Sequence, residues 1–175
     1  MLTSCIFTAC LHTQIQRQAS AGDNLGFEIA EQGLPYNWIM YKPPYCNHNI
    51  SLDTLRPKEG KQSLHFDIST CTEQHHVNFT GFTNEFMELT QGGGAYRISF
   101  WLRNEGAQVR AKLSGVRAKG EGAQAVIIEE NSTLAEWKQF QTEVTIDADM
   151  WLRFELQVRG EGSCWIDDVK IEKIN

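Results

Sequence analysis

The stretch Gly94-Ala-Tyr-Arg-Ile-Ser-Phe-Trp-Leu-Arg103 alternates apolar and polar residues along its length. Tyr96, Ile98, Phe100 and Leu102 have one parity, so in an extended chain they share one face. The pattern recurs on both sides of this stretch. Leu64, Phe66 and Ile68 alternate in one run, Phe140, Thr142, Val144 and Ile146 in another, and Leu152, Phe154, Leu156 and Val158 in a third. Shorter runs at 24–29, 36–41, 75–80, 108–117 and 123–128 also suit strands. Arg56-Pro-Lys-Glu-Gly60, Gly92-Gly-Gly94, Gly120-Glu-Gly122 and Gly160-Glu-Gly162 punctuate them as turns. Many short strands between Gly-rich turns predict an all-β protein, a β-sandwich of jelly-roll type with two antiparallel sheets. The only helical option is a turn or two at 84–89, where Asn84 is a fair N-cap and a further strand competes.

With 175 residues the chain makes one domain and a tail, long enough to bury a core without staples. Charged residues are 22% and hydrophobic ones 41%, which argues against disorder. The net charge of −6 and the lack of a basic stripe exclude nucleic acid as an expected partner. No apolar run reaches the length of a membrane span. Residues 1–22 differ in character and are expected to be a mobile leader outside the fold, which occupies 23–175. Within them Leu2-Thr3-Ser4-Cys5 resembles a bacterial lipobox but lacks the upstream charged and apolar segments of a signal peptide. Either the true start lies upstream, or the segment is an untargeted leader. The first is the expectation, with the domain extracellular or periplasmic and held by a lipid anchor. Cys46, Cys71 and Cys164 remain in the body, so at most one disulfide forms among them, and buried thiols are the simpler expectation.

The polar parity of two strands carries tryptophan. Opposite the core set lie Arg97, Ser99, Trp101 and Arg103 in one strand, and Trp151, Arg153, Glu155, Gln157 and Arg159 in another. An indole stacks on the apolar face of a pyranose while polar neighbours bond its hydroxyls. Trp101, Arg103, Trp151, Arg153 and Gln157 are therefore expected to bind an oligo- or polysaccharide, provided the two strands share a sheet. The alternative is that a loop covers each tryptophan. Trp137 and Trp165 are the expected core tryptophans. In the closing run Trp165-Ile-Asp-Asp-Val-Lys-Ile171, parity puts Asp167 on the apolar face with Trp165, Val169 and Ile171, where a carboxylate needs a partner.

The order of these signals resembles the carbohydrate-binding modules of the galactose-binding-like jelly-roll superfamily, of the type appended to xylanases and glucanases. The matching pieces are Asn24-Leu-Gly-Phe-Glu28, Trp38, Gly60-Lys-Gln-Ser-Leu64, Gly94–Arg103, Trp137-Lys-Gln-Phe140 and Trp165-Ile-Asp-Asp-Val169, spanning residues 24–172. The resemblance implies a structural calcium held by Glu28, Asp167 and carbonyls around Lys61 to Ser63, a donor set of oxygens suited to a hard cation. Without metal, Asp167 would accept backbone N–H groups instead. Sugar contacts vary within such modules, so no binding residue is carried over. The segment 42–58, with Tyr45, His48 and Asn49, has no counterpart. Such modules normally accompany a catalytic domain, so this one is expected either to be free-standing or to act with a catalytic partner or domain outside this chain.

Catalytic motifs are missing: no GxSxG, no HExxH and no Walker loop. His75 and His76 are adjacent in an expected strand and point to opposite faces, which disfavours a shared metal. Cys164 lacks a family-typical base. Sequons at Asn49, Asn78 and Asn131 would matter only in a eukaryotic secretory route. The chain reads as a non-catalytic carbohydrate-binding module. The alternatives are a structural or protein-interaction module of the same fold and, behind it, a small glycan hydrolase on a jelly roll.

Overall fold

The computed structural model describes residues 24–36, 38–41, 47–70, 77–81, 93–116 and 124–174. After a hairpin of β1 (Ala30–Glu31) and β2 (Leu34–Pro35), ten strands follow: β3 (Trp38–Tyr41), β4 (Asn47–Asp53), β5 (Ser63–Thr70), β6 (Val77–Gly81), β7 (Gly94–Glu105), β8 (Gln108–Val116), β9 (Gln124–Glu130), β10 (Leu134–Ile146), β11 (Trp151–Arg159) and β12 (Gly162–Ile174). They form two five-stranded antiparallel sheets. The first runs β10-β7-β12-β5-β4 and the second β3-β6-β11-β8-β9. The predicted all-β sandwich with two antiparallel sheets is what forms. The leader at 1–22, the 84–89 option, His75, His76, Cys46 and Cys71 lie outside the described residues. No helix among the described residues is long and apolar enough to cross a membrane.

Period-two patterning builds the core. Tyr96, Ile98, Phe100 and Leu102 of β7 face inward beside Leu64, Phe66 and Ile68 of β5, and Leu152, Phe154, Leu156 and Val158 of β11 meet them from the other sheet. Phe100 and Phe154 touch across the sandwich with ring centroids 5.6 Å apart. Burying each such side chain stabilises the fold by about 1.5–3 kcal/mol before the ordering cost. Cys164 is a free, buried thiol whose pKa burial pushes up, so it packs as a small hydrophobe.

The opening motif is a plug and not the strand expected over 24–29. Asn24 folds the chain back: its Nδ2 donates to the carbonyls of Ile29 and Tyr36, both at 2.8 Å, and its Oδ1 accepts the Ile29 N–H at 2.8 Å. Those bonds replace a sheet ladder. Phe27, held at φ 61°, is fully buried 5.0 Å from the Trp38 ring, and Trp38 Nε1 donates to the Asn24 carbonyl at 2.7 Å.

The closing strand corrects the simple parity reading. Across β12 and β7, Trp165 pairs with Arg103, Ile166 with Leu102 and Asp167 with Trp101, but the next pair is Lys170 with Ser99. One extra residue on β12 makes a bulge, with Asp168 at φ 48°. Cys164 and Ile166 therefore face the core before the bulge and Val169 after it, while Trp165 and Asp167 lie on the outer face. Asp167 does not enter the hydrophobic core.

Candidate functional site

The sandwich has two outer faces, and they differ in kind. On the first sheet, antiparallel register lines up Arg103 of β7, Trp165 of β12, His65 of β5 and Ser51 of β4. Trp165 stacks on His65 with centroids 4.4 Å apart and planes 4° from parallel. The Arg103 guanidinium lies over Trp165 at 3.8 Å and stands 5.9 Å from the Trp137 ring. The turn at 54–62 closes over this ladder. Trp165 Nε1 donates to Asp53 Oδ2 at 2.7 Å, Trp137 Nε1 to the Arg56 carbonyl at 3.3 Å, and Lys58 Nζ sits 4.2 Å above the Trp101 ring. Arg103 is only 3% exposed.

This arrangement corrects two expectations. Trp165 is buried, but under a turn and not between the sheets, and Trp137 is half-buried on the same face. Arg103 is inside the ladder over Trp165, and Trp101 lies beneath Lys58, a cation–π contact that holds the turn against the sheet. Trp151 opens β11 in the second sheet, whereas Trp101 is in β7 of the first. A common stacking platform for the two indoles does not form, because their strands are not in the same sheet.

His65 carries a pH consequence. Burial lowers its pKa, with Arg103 adding to that and Asp53 and Asp67 opposing it. A folded value below the unfolded one means that the unfolded chain binds the extra proton. Stability therefore falls as pH drops through the unfolded histidine value of about 6.5 and is unaffected above it. Urea midpoints measured across that range decline in the native chain, and the share due to this group is lost in His65→Phe.

The outer face of the second sheet is polar. Arg153, Glu155 and Gln157 of β11 lie opposite Ser114, Lys112 and Arg110 of β8, and Arg110 opposes Glu129 of β9. Arg153 Nη2 is 3.2 Å from Glu155 Oε2, and Gln157 Nε2 donates to Glu155 Oε1 at 2.7 Å. Arg110 pairs with Glu129. Among the described residues these side chains make polar contacts only with one another. Of the predicted binding set, Arg153 and Gln157 flank Glu155 here, and Trp151 stands at the end of the same strand opposite Val116. Arg110, Lys112 and Ser114 share this face and were not among the expected site residues. Their signal was the polar parity of the 108–117 run, legible as a strand but without an aromatic to draw attention.

Glu28 and Asp167 address one turn from two sides. Asp167 is fully buried. Its Oδ2 accepts the N–H groups of Lys58 at 2.8 Å and Glu59 at 3.0 Å, and its Oδ1 that of Asp168 at 2.7 Å. Burial pushes its carboxyl pKa up, and the three N–H donors counter that only in part. Glu28 accepts the Lys61 N–H at 3.0 and 3.1 Å and that of Gln62 at 3.4 Å. Gly60, at φ 62°, leaves room for it; a Cβ there would collide with Glu28 Oε1. Lys61 meets Glu28 through its N–H group, and Ser63 is buried with an unpartnered Oγ. Among the described residues no group of three or more His, Cys, Asp or Glu gathers around one point.

No protein-family model matches the chain. No curated protein sequence matches it either. Solved structures do. The family 22 xylan-binding domain CBM22-1 from Paenibacillus barcinonensis Xyn10C superposes with a TM-score of 0.63 over 86% of this chain and 92% of that one, at 13% identity. The chain has the jelly-roll fold seen in this carbohydrate-binding module. TmCBM61, solved with β-1,4-galactotriose, shares this jelly roll at TM-score 0.53 and 16% identity, over 87% of this chain and 97% of that one. A GH51 α-L-arabinofuranosidase, MgGH51, contains the same jelly roll as a quarter of its length, with TM-score 0.62 at 14% identity over 85% of this chain and 25% of that one.

Proposed function

We propose that the chain is a non-catalytic carbohydrate-binding module whose ligand lies along the outer face of the second sheet. The observation that carries this is the contrast between the two outer faces. On the first, Trp101, Trp137 and Trp165 are engaged by the turn at 54–62 and its flank, and Arg103 is stacked on Trp165. The second presents half-buried Arg110, Lys112, Arg153, Glu155 and Gln157 with no described loop bonded across them. Hydroxyl-rich ligands need such a mixture of donors and acceptors. Trp151 stands at the end of this row and is the stacking residue of the proposal. The similarity to a xylan-binding domain and to a module solved with β-1,4-galactotriose supports the reading at the level of fold.

A protein-docking module is less well supported, since the exposed large hydrophobics among the described residues are Ile29, Tyr36 and Leu55, none of them on either sheet face. Catalysis is disfavoured because, among the described residues of the second face, Glu155 and Glu129 each hold an arginine. The test is titration calorimetry of the full chain with xylo-, gluco-, manno- and galacto-oligosaccharides. Trp151→Ala is expected to cost about 1–3 kcal/mol of affinity, the range of base-stacking aromatics, with an unchanged melting temperature. Lack of binding to every glycan tried overturns the proposal.

A structural calcium at Glu28 and Asp167 is part of the same reading. Its support is that both carboxylates close on one turn and that burial leaves the Asp167 charge poorly solvated, a situation a hard cation relieves. The backbone N–H groups satisfy the same oxygens without an ion. With calcium bound, chelation lowers the melting temperature and added calcium restores it by mass action. Melting indifferent to both means that the N–H groups alone hold the turn.

A further inference from the structure

The chain as a whole carries a charge of −6, yet the outer face of its second sheet is basic. The described residues at outward positions of β8, β9 and β11 include Arg110, Lys112, Arg153 and Arg159 against Glu129 and Glu155. Both carboxylates are engaged. Glu129 takes Arg110. Glu155 gives one oxygen to Arg153 and the other to Gln157, at 3.2 and 2.7 Å. Lys112 is directly opposite Glu155 in the antiparallel register, but both of the carboxylate's oxygens already have partners. Among the described residues Lys112, half-buried between Arg110 and Arg153, has no counter-ion.

A half-buried lysine flanked by two arginines, without an ion pair of its own among the described residues, favours an anionic ligand, because a carboxylate relieves the excess positive charge. We propose that the ligand of this face is an acidic glycan, one bearing uronate carboxylates, with Lys112 as the centre of carboxylate recognition. This rests on the reading of the second face as the sugar site and narrows its substrate class.

The experiment compares the full chain with oligogalacturonate and glucuronate-substituted xylo-oligosaccharide against unsubstituted xylo- and galacto-oligosaccharides, by calorimetry at low and high ionic strength. The acidic ligands are expected to bind about tenfold tighter at low salt, the worth of one charge-assisted contact, and added salt should erase the preference. Lys112→Gln should bring the acidic-to-neutral affinity ratio close to one, whereas Lys112→Arg should keep it; unchanged melting temperatures show that both variants fold. Neutral ligands binding as tightly as acidic ones, or a preference that survives Lys112→Gln, overturns the acidic assignment and leaves the sugar-binding reading standing. If no glycan of either kind binds, the reading of this face as a sugar site falls, and the acidic assignment with it.

Discussion

Asp167→Ala lowers the stability of the sandwich by about 3–5 kcal/mol, because three backbone N–H groups lose their acceptor at a fully buried site and each such orphan costs about 1–3 kcal/mol, not fully additively. The turn that those bonds hold also carries Lys58 onto Trp101, so its release exposes the aromatic ladder on the first sheet. Urea denaturation of the native chain and the variant gives the loss directly. The charge itself is not the stabilising element. The folded pKa of Asp167 lies above its ordinary value, so the folded state binds the proton more readily, and ionisation costs stability as pH rises through that range. Asp167→Asn separates the two roles. It keeps one acceptor oxygen and removes the charge, so without a bound metal it recovers part of the Ala loss. If calcium binds as proposed, Asp167→Asn also abolishes the metal-dependent rise in melting temperature.

Trp165→Ala costs a similar amount, about 3–5 kcal/mol, the range for removing a large buried aromatic. The indole is 7% exposed and is the middle of the ladder: His65 stacks on it, the Arg103 guanidinium covers it, and its N–H reaches Asp53. Truncation leaves Arg103 buried without the ring that faces it. Trp165→Phe keeps an aromatic surface and loses the bond to Asp53, so it costs only about 1–2 kcal/mol. Equal losses in the Ala and Phe variants contradict the stacking argument, and a loss below 1 kcal/mol in Trp165→Ala would place the indole outside the stable fold.

Much of the architecture was legible without coordinates. The alternation of Tyr96, Ile98, Phe100 and Leu102, and of Leu152, Phe154, Leu156 and Val158, marks inward and outward faces correctly, because the strand period is a local property of the backbone. Arg153 and Gln157 were legible for the same reason. Three features were not. Parity along β12 breaks at the Asp168 bulge, where one extra residue reverses every later side chain, and nothing in the run of residue types announces it. The descent of the 54–62 turn over the first sheet, which turns Arg103 and Trp165 into structural residues, depends on N–H groups far away in sequence finding Asp167. Last, Trp101 and Trp151 carry the same local signature yet stand in different sheets. Which strands pair is decided by contacts between distant segments and by the closure of the sandwich as a whole. Local alternation can tell only which way a side chain points from its own strand.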